Sequence, residues 1–152
     1  MNIDKMIQEV MDKADKVQAR GKEAWPNDKS MIDMYKGDAD DMRAGAELMK
    51  QGKFIEAHEK FSYMDTSARE KVPDNAWNYC EEKSEEHYRK KRDEKEAEEL
   101  KKMSETTQYC IYCENEAEHV IQRSKAPICS ACKEVYKAGQ YNNHGNILEI
   151  NG

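Results

Sequence analysis

Tyr109-Cys110-Ile111-Tyr112-Cys113 is answered, after a spacer, by Cys129-Ser130-Ala131-Cys132, and the two segments make one C-x2-C-x15-C-x2-C array. Two intervening residues let both sulfurs of a pair turn toward one point. The spacer is long enough to run out and back, so four thiolates can surround a single ion, which is a zinc-site spacing. Zn²⁺ takes four tetrahedral ligands, with Zn–S of about 2.3 Å. With sulfur at every position, no place is left for water or substrate. Cys110, Cys113, Cys129 and Cys132 are therefore expected to hold a structural zinc, to make folding of the last third of the chain metal-dependent, and to take no part in catalysis.

The rival uses of cysteine fit less well. A disulfide framework suits a secreted chain, but this one opens Met1-Asn2-Ile3-Asp4, without the basic segment and apolar run of a secretory leader. Its five cysteines would also leave Cys80 over. A redox pair of the thioredoxin kind needs one C-x-x-C in a βαβ setting, which the sequence does not offer. An iron–sulfur cluster is the other metal alternative. No apolar run approaches the ~20 residues that span a bilayer. The expectation is a soluble, cytoplasmic (intracellular) protein with reduced thiols and no membrane contact.

Between and after the cysteine pairs, Ala117 to Gln122 can form a strand, Pro127-Ile128 leads back, and Lys133 to Ala138 reads as a helix stopped by Gly139. A knuckle, a hairpin and a ligand pair opening a helix resemble the treble-clef zinc fingers over residues 109–139, with the zinc ribbon as the near relative. That resemblance implies metal binding and leaves the task open, because such fingers serve protein binding, nucleic-acid binding and nucleases alike. Glu118-His119 between the cysteine pairs also resembles, loosely, the acid–histidine step of zinc-bearing HNH nucleases. Position 122 is Gln where that family carries Pro, and the spacer lacks the family's Gly-Gly and Asn segment. Without those parts His119 reads as an exposed hairpin residue or as a donor to a cysteine sulfur.

Outward toward the N-terminus, the connector over residues 81–108 is almost all charge from Glu81 to Lys102. Opposite charges fall four apart at Glu85–Arg89, Glu86–Lys90, Lys90–Glu94, Arg92–Glu96, Lys95–Glu99 and Glu98–Lys102. Each such pair contributes a few tenths of a kcal/mol to a helix. No apolar heptad accompanies them, so a coiled coil is not expected. The segment reads as a solvated helical connector in which Arg89-Lys90-Lys91-Arg92 is one salt-bridged turn rather than a phosphate contact.

The first 80 residues read as a helical body. Ile3, Met6, Ile7, Val10, Met11, Ala14 and Val17 recur at three- and four-residue steps and mark a helix over residues 3–19. Pro26 disfavours helix at the residue before it, and Asp28 can cap a following helix that carries Met31, Met34 and Tyr35. Residues 38–69 read as an αα-hairpin turning at Gln51-Gly52-Lys53. Within it Gly45-Ala46-Glu47-Leu48, Gly52-Lys53-Phe54-Ile55-Glu56-Ala57 and Phe61 resemble a single tetratricopeptide unit, a family in which small and aromatic residues let two helices pack closely. No second copy is present, and a solenoid needs several. Pro73-Asp74 then opens the long helix, with Trp77, Tyr79, Cys80 and Tyr88 placed to reach the body.

Composition agrees with a mainly α protein: a helical body over 1–80, a charged helical connector over 81–108 and a small four-cysteine zinc finger over 109–152. The 152 residues are 37% charged and 38% hydrophobic, with only 3 Pro and 7 Gly, too few for a loop-rich β protein. The net charge of −6 disfavours nonspecific binding to nucleic acid. Residues 109–152 carry four basic and five acidic side chains, without the basic surplus of a phosphate-gripping finger. The other histidines lie in unremarkable settings: His58 in the hairpin, His87 among glutamates, and His144 in an Asn-rich turn. No phosphate loop, nucleophile elbow or zinc-protease motif occurs. The expected function is nonenzymatic: a zinc-containing binding or regulatory protein that recognises another protein. Tyr112, Val120, Ile121 and Tyr136 are either its contact residues or the finger's own small core. A nucleic-acid-binding accessory protein is the second reading, and a reduced HNH-like nuclease the third.

Overall fold

A computed structural model describes residues 2–64, 71–138 and 146–151. The order of elements among them is α1 (Ile3–Ala24), α2 (Lys29–Lys50), α3 (Phe54–Ser62), α4 (Asp74–Ser104), β1 (His119–Ile121), β2 (Ala126–Ile128), α5 (Ser130–Ala138) and β3 (Ile147–Glu149). The chain is mainly helical, with a small sheet near its C-terminus. No described helix is long and apolar enough to cross a membrane. The chain divides into two compact units, residues 1–89 and 90–152, and α4 contributes to both.

In the first unit, Asn2 caps α1 by accepting from the Lys5 N–H at 3.2 Å. The apolar stripe expected of this helix is its buried face: Met6, Ile7, Val10, Ala14 and Val17. The helix runs past residue 19 to Ala24, because Gly21 does not break it but lies against α2. A Cβ built at Gly21 would stand 2.5 Å from the Tyr35 Cβ, so only glycine allows this approach. The helix stops where Pro26 requires, with Trp25 already out of helical geometry.

Asp28 caps α2 as its position indicates, accepting from the Met31 N–H at 3.1 Å. The two helices expected on either side of residue 37 are one. Gly37 costs an exposed helix about 1 kcal/mol, less than breaking it would cost once Ala39, Met42, Ala46 and Met49 are buried along the same face. The turn falls at Gly52, whose φ of +73° favours glycine. There Lys53 donates to the Leu48 carbonyl at 2.9 Å and closes the helix end. Across this turn Phe61 of α3 lies over Gly45, where a Cβ would come within 2.2 Å of the ring. The small-on-aromatic packing suggested by the sequence therefore has a specific physical form.

The first turns of α4 complete this core with Ala76 and Cys80. Tyr79 meets Phe54 edge-on at 5.0 Å, and Trp77 tilts against His58 at 4.9 Å. Tyr88 does not join them. It stays exposed, its hydroxyl donating to Glu59 at 3.4 Å. Lys71 reaches the buried Asp38 and lies 5.0 Å over the Tyr35 ring. The end of the expected hairpin at 65–69 lies outside the described residues.

The second unit is built on a three-stranded antiparallel sheet in the order β2-β1-β3, with Val120 opposite Pro127 on one side and Leu148 on the other. The β1–β2 hairpin matches the sequence reading, whereas β3 has no counterpart in it. Three residues after an Asn- and Gly-rich segment carry no periodic signal. The helix stop expected at Gly139 and the turn containing His144 lie outside the described residues.

Candidate metal centre

The four cysteine sulfurs all lie within 4.8 Å of one another, and Cys113 Sγ is 3.5 Å from Cys129 Sγ. A disulfide would require about 2.05 Å. Four sulfurs at about 2.3 Å from one tetrahedral ion would be about 3.8 Å apart. The spacing therefore fits ligands around an ion and not a covalent bond, and all five cysteines are free thiols.

Local backbone geometry aims each pair. At the knuckle, Cys110 donates its N–H to the Asn115 carbonyl at 2.7 Å, and Glu114 donates to the Cys110 carbonyl at 3.0 Å. Glu114 adopts φ 61°, which turns the chain back on itself. Tyr109 bridges to Glu116, and the Ile111 N–H reaches the Pro127 carbonyl at 3.1 Å, joining the knuckle to β2. The second pair follows directly. Cys129 leaves β2, and Cys132 lies in the first turn of α5, its N–H donating to Cys129 Sγ at 3.4 Å. Cys110 and Cys129 are buried, Cys132 is half-buried and Cys113 is exposed.

The cysteines differ in how readily they ionise. Burial pushes the Cys110 thiol up, but backbone N–H groups of Cys129, Tyr112 and Cys113 outweigh it and bring the thiol down to about 6. Cys132 is pushed up to about 12, first by its hydrogen bonds with Cys113 and Cys129, then by burial and by the charge on Cys110. Ionisation is thus favoured at Cys110 and opposed at Cys132. A bound cation removes that difference, because coordinated thiols give up their protons outright.

Around this centre the buried cluster is Cys110, Ile121, Ile128 and Cys129, with Ala117, Ala126, Cys132, Tyr136 and Ile147 packed against it. Of the residues that sequence left between contact and core, Val120 and Ile121 are buried, because β1 is the central strand of the sheet. Tyr136 is half-buried against the cluster, and Tyr112 is exposed. His119 is neither an exposed hairpin residue nor a donor to a cysteine. It is only 8% exposed, and its Nε2 lies 3.3 Å from Ser130 Oγ, which in turn donates to Glu118 at 3.1 Å. The central strand buries this ring, and the start of α5 supplies its partner.

Glu96 also departs from its expected pairing. Instead of Arg92 four residues away, it accepts from Lys125 at 2.8 Å and from Gln122 at 3.0 Å. Lys125, at φ 55° in the β1–β2 turn, further donates to the Gln122 carbonyl at 2.8 Å. The bonds from Lys125 and then Gln122 hold the Glu96 carboxyl below its usual range. Helix spacing carries no sign of a partner 29 residues away. Lys90–Glu94, Lys95–Glu99 and Glu98–Lys102 do pair as their spacing indicates, at 3.9, 3.9 and 2.8 Å. Comparison with protein-family descriptions, curated proteins and solved structures finds no match.

Proposed function

We propose that the chain is a nonenzymatic, zinc-holding protein of a reducing compartment, the cytoplasm, whose C-terminal finger recognises another protein in a binding or regulatory role. Zinc suits a donor set of four thiolates in tetrahedral spacing, and a closed set of this kind is a structural use of the metal. The succession of knuckle, hairpin and ligand-bearing helix supports the resemblance to treble-clef fingers. Zinc's contribution there is to neutralise the thiolates and fix the knuckle. Cys110, Cys113, Cys129 and Cys132 hold it, and the backbone N–H groups around Cys110 and Cys129 orient the sulfurs.

The observation that carries the reading is what the knuckle leaves outside: Tyr109, Ile111 and Tyr112 are 60%, 55% and 59% exposed on a loop of a small, tightly tied unit. Several large apolar side chains left exposed within one short loop are a common mark of an interaction site. The nuclease alternative finds less support, since His119 is turned into the sheet and bonded to Ser130.

The purified chain should carry one zinc by elemental analysis. Captured from its source cell, it should retain a specific protein that rebinds in purified form and is lost by a Cys110→Ser, Cys113→Ser variant. Recovery of nucleic acid whose digestion releases everything bound would overturn protein recognition. So would metal-dependent strand cleavage abolished by His119→Ala.

A further inference from the structure

From Met103 to Gln122 the chain contains four glutamates (Glu105, Glu114, Glu116 and Glu118) and no lysine or arginine. The exposed knuckle residues Tyr109, Ile111 and Tyr112 all fall within this stretch. Glu114 and Glu116 are exposed on the same loop. The ligand set adds to the same sign, since four thiolates around a divalent ion leave net negative charge, and Cys113 brings part of it to the surface. The cations of this unit lie outside that stretch: Lys90, Lys91, Arg92, Lys95, Lys101 and Lys102 are on α4, Arg123 and Lys125 lie between β1 and β2 with Lys125 bonded to Glu96, and Lys133 and Lys137 are on α5. The knuckle thus carries three exposed apolar side chains within an acidic stretch of chain.

We infer that the surface formed by Tyr109, Ile111 and Tyr112 receives a basic segment of a partner protein, with an apolar side chain of that segment seated among the three and its lysines or arginines facing Glu114 and Glu116. The inference rests on the protein-recognition reading and adds to it the face and the chemistry of the partner. Charge complementarity selects the partner's sign, because an acidic segment would meet the glutamates and the thiolate centre at close range, where like charges are strongly unfavourable. Apolar contact supplies the anchor. Aromatic residues are enriched where binding energy concentrates, and Tyr buries a large area at little entropic cost. The same charge pattern disfavours nucleic acid, whose phosphates would meet the acidic surround.

The test is a selection of random linear peptides on the full-length, zinc-loaded chain. The enriched sequences should carry an excess of Lys and Arg around one apolar position. Their affinity should fall about tenfold with Tyr112→Ala or Ile111→Ser. It should also weaken as salt is raised through about 0.5 M. Both side chains are exposed, so these variants should retain one zinc per chain, measured in parallel. Val135→Ser, which changes an exposed apolar side chain of α5 outside the acidic stretch, should leave affinity unchanged. A consensus without basic residues, or equal affinity for the knuckle variants, would overturn the inference. Peptides that bind through residues 1–89 would overturn it while protein recognition stands. Enrichment of nothing, together with retention of a polynucleotide, would overturn both.

Discussion

The two units of this chain keep their order by different means. Residues 1–89 close a continuous apolar cluster from three helices and the start of a fourth, with Val10, Ala14, Met42, Ala46, Ala57 and Phe61 fully removed from solvent. Among the described residues, 90–152 bury a cluster of Cys110, Ile121, Ile128 and Cys129, half of whose members are candidate ligands, with Val120 and Ile150 buried besides. Burial contributes roughly 1.5–3 kcal/mol for each large apolar side chain. The first unit has many such residues. The second has few, and a domain with so small a core usually depends on a metal or disulfides. Apolar packing therefore carries the first unit, and on the proposed reading coordination by the four cysteines carries the second.

The largest expected effect comes from removing a ligand. Structural zinc sites release about 10–16 kcal/mol on binding. Cys129→Ser should lower the zinc content from one to none and abolish the order of residues 109–138. The first unit should be untouched, and it can be followed alone, because both tryptophans, Trp25 and Trp77, lie in it. A shift of the tryptophan unfolding curve in this variant would break the separation.

The converse change acts on the first unit. Phe61 is fully buried, and Phe61→Ala should cost about 3–5 kcal/mol in a urea titration read by tryptophan fluorescence. Gly45→Ala places a methyl into the same ring and should cost about 1–3 kcal/mol by overpacking. Zinc content should remain one per chain in both. A variant that lost zinc along with its helical core would show the units to be coupled.

The smallest effect sharpens what belongs to the second unit. Glu96 is tied to the β1–β2 turn by Lys125 and Gln122, which hold its carboxyl below the usual range. Its stabilisation is therefore present above the ordinary carboxyl value of about 4.3 and is lost as pH falls through the depressed folded value. Glu96→Gln should lower the thermal midpoint of the metal-loaded unit by the equivalent of about 1 kcal/mol or less at neutral pH. The gap to the parent should close in acid. A gap that widened in acid would contradict the assigned ion pair.

Local signals in the sequence carry much of this. The spacing of the cysteines brings all four together, the stripe of α1 marks its buried face, and Asp28 and Gly52 mark a helix start and a turn. What the sequence leaves open depends on long-range contact. The apolar stripe fades after Val17 and the pattern divides near residue 37, and only the packing of α1 on α2 shows that each helix continues. Val120 and Ile121, open between contact and core in the sequence, lie in the interior of a central strand, and the β3 that makes it central is too short to have a pattern. Glu96 has an apparent partner at helix spacing, yet it takes one from a turn whose geometry no periodicity encodes. Tyr109 and Ile111 flank ligands, a position that fits core as well as surface, so their exposure is visible only in the folded knuckle.

The central claim, that one unit is held by apolar packing and the other by coordination, is tested most directly by hydrogen exchange of the full-length protein with and without a zinc chelator, read by mass spectrometry. Chelation should strip protection from residues 119–128 while residues 6–17 and 42–61 keep theirs. Loss of protection in both segments together, or in neither, would contradict the account.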